Sequence, residues 1–321
     1  MKIAIYSARE DEKEFFENYH DKSIEFLMID SDPTIETAKL SKGCDCVSIV
    51  QETVIDKEMF DKFKECGIKF LSSRTIGMEH VDANYASEIG IGVSNVSYTP
   101  KSVAEYTVMM MLSAMRNVKT LLLRSAGQDF SLFKGTRGRL ISDCTVGIIG
   151  TGKIGSEVAK MLTGFGCKIY ACDIVENPAL AGIVQYVTFD YLLENADIIS
   201  IHTPSTPQSY HLFNSETLGK MKKTSILINT ARGEIIDSMA LIEALENGKI
   251  SGAALDVVEG DRLIYYRDKK CEQLRNREMA ILSSMPNVLM MPHMAFFSDH
   301  AVRDMVEMSI ESCTSFIKSK G

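Results

Sequence analysis

One stretch, Cys144-Thr145-Val146-Gly147-Ile148-Ile149-Gly150-Thr151-Gly152-Lys153-Ile154-Gly155, constrains the fold of this chain more than any other. It opens as an apolar, β-branched run and closes on glycines spaced G-x-G-x-x-G. Val158, Ala159, Leu162 and Phe165 follow at helical spacing. Strand, tight turn and helix in that order form the context in which such glycines mean dinucleotide binding, not a bare turn. Gly150 permits the sharp turn, Gly152 lets the backbone approach a pyrophosphate, and Gly155 lets the helix close on the strand. The N–H groups of the turn, from Thr151 through Lys153 and Ile154, together with the positive end of the helix then face the phosphates.

Strands and helices alternate on both sides of this turn. Before it, strands are expected at 2–6, 24–29, 46–50, 69–72 and 92–95, with helices at 11–19, 34–42, 57–65 and 82–88. Pro100 opens a long apolar helix over about 101–124, and a polar, basic connector covers 127–142. After the turn, strands are expected at 168–172, 187–189, 197–202, 225–229, 252–257 and 287–291. Helices fill 191–195, 216–221 and 238–247, a charged loop spans 261–277, and a last helix covers about 299–318. Alternation of this kind implies parallel sheets with right-handed crossovers, an α/β fold. A length of 321 residues suits two domains.

The net charge of −8 gives no general attraction to nucleic acid or to an anionic membrane, and no run reaches 18 apolar residues. Eight scattered cysteines form no C-x-x-C pair and no zinc-like cluster with histidine, so no metal is expected. They read as reduced core residues of a cytoplasmic protein, with Cys44-Asp45-Cys46 as a weaker redox candidate.

In open α/β sheets ligands bind at the carboxyl ends of strands. Here those ends carry Gly150–Gly155, Asp173, Thr203-Pro204, Arg232, Glu259 and His293. Asp173 lies 18 residues after Gly155, where a carboxylate accepts bonds from ribose hydroxyls and repels a 2′-phosphate, so the expected cofactor is NAD. Arg232 could grip a planar carboxylate by two parallel hydrogen bonds and polarise the neighbouring carbonyl. His293 could exchange a proton near neutral pH, and Glu259 could orient it and raise its pKa. Alone, each would read as a structural or surface residue; their concentration at strand ends argues for an enzyme.

These motifs resemble the NAD-dependent D-2-hydroxyacid dehydrogenases, and most of all their D-lactate dehydrogenase branch, including the glycopeptide-resistance type. The resemblance is carried by Gly150–Gly155 with Asp173, by Asn229-Thr230-Ala231-Arg232-Gly233, by Ala254–Gly260 and by Pro292-His293-Met294-Ala295-Phe296-Phe297. Ser73-Arg74-Thr75-Ile76-Gly77 and Asn95–Pro100 add to it, so it covers nearly the whole chain. It implies a flavodoxin-like catalytic domain from residues 1–98 and 294–321, with a Rossmann-type NAD domain, 99–293, inserted. It implies Arg232 as binder of the substrate carboxylate and carbonyl, His293 as general acid in reduction and Glu259 as its partner. The N–H groups of Ile76 and Gly77 would also hold the carboxylate, and Tyr98 and Phe296 would line the side-chain pocket. Val103 would lie beside the nicotinamide ring and Asp256 near its amide. Thr203, Pro204, Thr230, Ala231, Arg232 and His293 complete the cofactor-contacting set. A homodimer through the long helix after Pro100 is also implied.

The expected reaction is reversible reduction of a 2-oxo acid to a D-2-hydroxy acid, with pyruvate and D-lactate as the first choice and larger branched-chain or aromatic 2-oxo acids as the alternative. A reading from another class is a non-catalytic NAD(H) sensor of corepressor type. Met294 departs from the small residue, Thr or Leu, that the family carries after its histidine.

Overall fold

The computed structural model describes residues 1–50 and 53–320. The chain divides into two compact units, Met1–Thr99 with Phe297–Gly321, and Pro100–Phe296.

In the first unit, β1 (Lys2–Tyr6), α1 (Glu10–Glu17), β2 (Glu25–Ile29), β3 (Cys46–Ile49), α2 (Lys57–Glu65), β4 (Phe70–Ser73), α3 (Ala83–Glu88) and β5 (Gly92–Ser94) alternate as expected, with one exception. The helix expected at 34–42 shrinks to a single 3₁₀ turn, Ala38–Ser41. Only Ala38 and Ser41 in that segment are buried, so no apolar face exists to hold a full helix. The five strands are parallel in the order β2-β1-β3-β4-β5, and the terminal helix Asp299–Lys320 packs on α1 and β4. That order is the flavodoxin-like doubly wound sheet.

In the second unit α4 (Lys101–Met115) buries Val103, Ala104, Val108, Met110, Met111 and Met115 against its own sheet and neighbouring helix. The single helix expected over 101–124 breaks here. Asn117 takes a left-handed conformation (φ 51°), which asparagine tolerates better than most residues, and α5 (Val118–Ala126) starts afresh. Then follow β6 (Thr145–Ile149), α6 (Lys153–Leu162), β7 (Lys168–Cys172), β8 (Gln185–Tyr186), α7 (Phe189–Asn195), β9 (Ile198–Ile201), α8 (Ser215–Lys220), β10 (Ile226–Asn229), α9 (Ser238–Glu246), β11 (Gly252–Leu255), α10 (Arg277–Ser284) and β12 (Val288–Met290). The strand expected at 187–189 lies two residues earlier, because Thr188 already caps α7 by accepting the Tyr191 N–H. Helix α10 has no counterpart in the sequence reading. It is capped by Asn276 and buries only Met279 and Leu282, too few for a periodic signal.

All seven strands of this unit are parallel, ordered β12-β11-β10-β9-β6-β7-β8. The order reverses between β6 and β9, so the crevice beyond their carboxyl ends is the ligand position of a Rossmann sheet.

The buried cysteines sit in or beside these cores. Burial pushes the Cys44 thiol above its ordinary value, the opposite of what a reactive thiolate needs.

Candidate active site

Because β6, β9, β10, β11 and β12 are parallel neighbours, the segments that leave them share one edge of the second unit. Those segments carry the glycine turn, Thr203, Arg232, Glu259 and His293 in spatial order.

The glycine turn is sterically exacting. Gly150 has φ +91°, and a Cβ there would lie 2.6 Å from the His202 carbonyl oxygen. A Cβ on Gly155 would lie 1.9 Å from the Gly150 carbonyl oxygen, so no side chain fits without opening the turn. Around Gly152 the reverse holds: a Cβ would meet nothing within 4 Å. That open space faces the start of α6, a helix with no side-chain cap and no acidic residue in its first turn. Uncapped N–H groups beside open space suit a pyrophosphate. The Thr203 hydroxyl, just beyond β9, is buried without a hydrogen-bond partner among the described residues, a polar atom open to a ligand. Asp173, at the end of β7, accepts from the N–H and hydroxyl of Thr151. Burial opposes its ionisation, yet the Thr151 and Val175 N–H bonds hold its carboxyl below the usual range. A carboxylate charged in this way at the strand tip fits a ribose diol and opposes a 2′-phosphate. The residues present therefore fit NAD.

Arg232 sits on a turn clamped by Asn229, whose side chain accepts the Ala231 N–H at 2.9 Å and donates to the Arg232 carbonyl at 2.8 Å. Thr230 is fixed by a 2.8 Å bond to Thr107 of α4. Gly233 closes the turn, since its missing Cβ leaves room for the Val258 backbone 2.2 Å from where that atom would stand.

His293 has a left-handed backbone (φ 56°), and its N–H donates to the Asp256 carbonyl at 2.9 Å. Asp256 is fully buried, and its carboxylate accepts the Met294 and Ala295 N–H groups, both at 2.9 Å. The Asp256 carboxylate thereby holds the turn that presents His293. Tyr265, Tyr266 and Phe296 surround the imidazole with ring centroids at 6.3, 5.7 and 6.5 Å, and the Tyr266 hydroxyl donates to the His293 carbonyl at 2.8 Å. Desolvation, helped by the nearby Arg232 cation, lowers the His293 pKa to about 4.

Glu259 is where the geometry departs from expectation. Its carboxylate lies 2.9 Å from His211 Nε2 and forms no hydrogen bond with His293 among the described residues. His211 precedes α8 and carried no signal in the sequence. Tyr265 and Tyr266 carry none either, because they fall in a segment whose charge density predicts a loop. That segment begins as a 3₁₀ turn, Asp261–Leu263, whose Asp261 accepts the Val258 N–H. Burial raises the Asp261 carboxyl to about 6.

In the first unit, Thr75 donates to the Gly77 carbonyl and Asn95 to the Ile76 carbonyl, each at 2.7 Å. Neither the Ile76 nor the Gly77 N–H donates to a described residue, so both are available to an anion. Arg74 anchors this loop through a fully buried ion pair with Glu12 at 2.9 Å. Tyr98 is half-buried beyond β5, and Val103 is buried on the first turn of α4.

Residues 108–295 match the model of the D-isomer specific 2-hydroxyacid dehydrogenase NAD-binding domain. The chain belongs to this family. It is 38% identical to the D-specific alpha-keto acid dehydrogenase of Enterococcus faecium, over 98% of this chain and 96% of that one. It is 39% identical to the aromatic 2-oxoacid reductase of Clostridium sporogenes, with the same coverage. Among solved structures, a D-lactate dehydrogenase from Sporolactobacillus sp. superposes with a TM-score of 0.87 at 36% identity, covering 100% of this chain and 97% of that one. As a D-2-hydroxyacid dehydrogenase, the protein uses NAD and reversibly reduces 2-oxo acids to D-2-hydroxy acids. No helix among the described residues is long and apolar enough to cross a membrane.

Proposed function

We propose that the preferred substrate pair is pyruvate and D-lactate. The aromatic frame of His293 carries this choice. Three rings stand with centroids 5.7 to 6.5 Å from the imidazole, a crowded surround that favours a short substrate side chain beside it. The relative named for aromatic 2-oxo acids supports the larger alternative, since such substrates could stack on those rings. One methylene in an apolar pocket is worth only about 1–3 kcal/mol, so the ranking has to be measured. The expected result is a higher kcat/KM for pyruvate than for 4-methyl-2-oxopentanoate and phenylpyruvate; a phenylpyruvate value above that for pyruvate would reverse the choice.

In this scheme Arg232 binds the substrate carboxylate and steadies the negative charge that develops on the carbonyl oxygen. The N–H groups of Ile76 and Gly77 are assigned to carboxylate binding, and Tyr98 and Phe296 to the substrate side chain. His293 delivers a proton from its imidazole to the carbonyl oxygen in reduction and takes it back in oxidation. NADH, held by Gly150–Gly155, Asp173, Thr203 and Pro204, with Val103, Thr230 and Ala231, supplies the hydride when bound. A histidine with a pKa near 4 is neutral at pH 7 and suits oxidation; reduction needs a carboxylate partner that raises it.

The working compartment we assign is the cytoplasm, where free thiols persist reduced. We also propose a homodimer through the long apolar stretch after Pro100, with its α5 part and the connector as the surface. Helix α5 buries no residue, and Leu122, Leu123, Phe130, Leu132 and Phe133 are each at least 60% exposed. A contiguous run of large apolar side chains on one unit marks an association surface, and a second copy covers it. Sedimentation equilibrium should give a dimer for the wild type and a monomer for Leu123→Glu/Leu132→Glu/Phe133→Glu. A monomeric wild type at micromolar concentration would contradict this.

A further inference from the structure

We propose that the second unit binds a small phosphate-bearing anion in a basic cavity between the connector and the first residues of β10, β11 and β12.

The cavity encloses about 300 Å³, the size of a small-molecule site. Ile226 and Gly252, which open β10 and β11, line it together with Asn287, just before β12. The glycine turn, Arg232 and His293 all follow the carboxyl ends of strands in the same sheet, so the cavity occupies the opposite edge. Four cations line it, Lys119, Arg137, Arg139 and Lys223, and no Asp or Glu does. The chain as a whole has the reverse balance, with 43 acidic side chains against 35 basic. Arg137 and Arg139 also line the adjoining hollow with Arg116, again without a carboxylate. A concave surface of one sign concentrates the counter-ion.

Two of the four cations are committed to the wall. Lys119 Nζ donates to the carbonyls of Ser283, Met285 and Val288 at 2.7, 2.6 and 2.8 Å. Arg139 donates to the Thr224 carbonyl at 2.8 Å and lies 3.8 Å from Asp197, whose carboxylate also meets Lys222 at 3.2 Å. Gly138 docks the connector here. A Cβ on it would lie 2.7 Å from the Met115 carbonyl oxygen, and the Arg139 N–H donates to that same oxygen at 3.3 Å. Arg137 is thereby held at the cavity beside the end of α4. The side chains of Arg137 and Lys223 make no ion pair or hydrogen bond with a described residue. They are the pair left for a ligand. An arginine fork binds phosphate through two parallel hydrogen bonds, and a lysine binds it as a point charge, so the mixed pair fits a phosphate group.

Calorimetric titration of inorganic pyrophosphate into the NADH-saturated enzyme tests this, because the glycine turn is then already filled. The wild type should show a single saturable site, with NADH fluorescence constant throughout and binding weakened by added sodium chloride. Arg137→Gln and Lys223→Gln should each weaken binding about tenfold, the loss of one charge-assisted contact. Both side chains are exposed, and neither variant should change kcat or KM for NADH in pyrophosphate-free buffer. Arg232→Gln, at the other edge of the sheet, should leave pyrophosphate binding as it is. The site is overturned by an absence of binding to the NADH-loaded wild type, or by wild-type affinity in both Arg137→Gln and Lys223→Gln. A fall in NADH fluorescence that tracks the heat, or loss of binding in Arg232→Gln, would place the anion at the cofactor or substrate position and overturn it equally. Tighter binding of citrate than of pyrophosphate would overturn the assignment to phosphate.

Discussion

Arg232→Gln should lower kcat/KM for 2-oxo acid reduction by about 10³-fold or more, the scale of losing an oxyanion donor together with a charged substrate contact. The effect should fall on both kcat and KM, because one guanidinium is asked to bind the carboxylate and to stabilise charge that grows in the transition state. The turn should keep its main clamp, since Asn229 bonds the backbone of residues 231 and 232, although the guanidinium's own 2.8 Å bond to the Ala231 carbonyl is lost. Arg232→Lys should recover only part of the loss, as an ammonium cannot make two parallel bonds to a carboxylate. Removing the cation also removes one of the two influences that hold His293 down. The His293 pKa should therefore rise in Arg232→Gln, which separates an electrostatic effect from a misfolded site. Comparable rates for wild type and variant would contradict the assignment.

Asp173→Ser combined with Ile174→Arg should shift the ratio of kcat/KM for NADPH over NADH by about 10²-fold, or roughly 2.7 kcal/mol. The carboxylate at this strand tip repels a 2′-phosphate, and an arginine beside it would bind one. Ile174 is fully exposed, so a longer charged side chain meets no packing there. The glycine turn should tolerate the change because Thr151 keeps two other partners. Asn177 donates to its carbonyl and the Tyr186 hydroxyl to its side chain, each at 3.0 Å. An unchanged ratio would show that Asp173 serves only to brace Thr151.

Much of this architecture was legible because parallel strands buried on both faces are written as continuous apolar runs with helices between them. Lys57–Glu65 and Lys168–Cys172 match the sequence expectation residue for residue. The glycine turn was legible for a related reason, since Gly150 and Gly155 sit where backbone atoms leave no room for a side chain. What failed was decided by single residues or by distant partners. The break between α4 and α5 turns on one asparagine in a left-handed conformation, within a run whose hydrophobicity continues unbroken. Helix α10 depends on a cap and two buried side chains. In the site, Arg232 and His293 stood out because each ends a strand of one parallel sheet. His211, Tyr265 and Tyr266 lie on connecting segments, and their significance comes from contacts with residues far along the chain. Glu259 meets His211 across 48 positions, a pairing that no periodicity encodes.

The most direct measurement is the chirality and yield of the product when the purified enzyme turns over NADH with pyruvate, read beside phenylpyruvate and 4-methyl-2-oxopentanoate. D-lactate formed in step with NADH consumed, with pyruvate the best of the three, is the predicted result. L-lactate, racemic lactate, or no turnover of any of the three would contradict it.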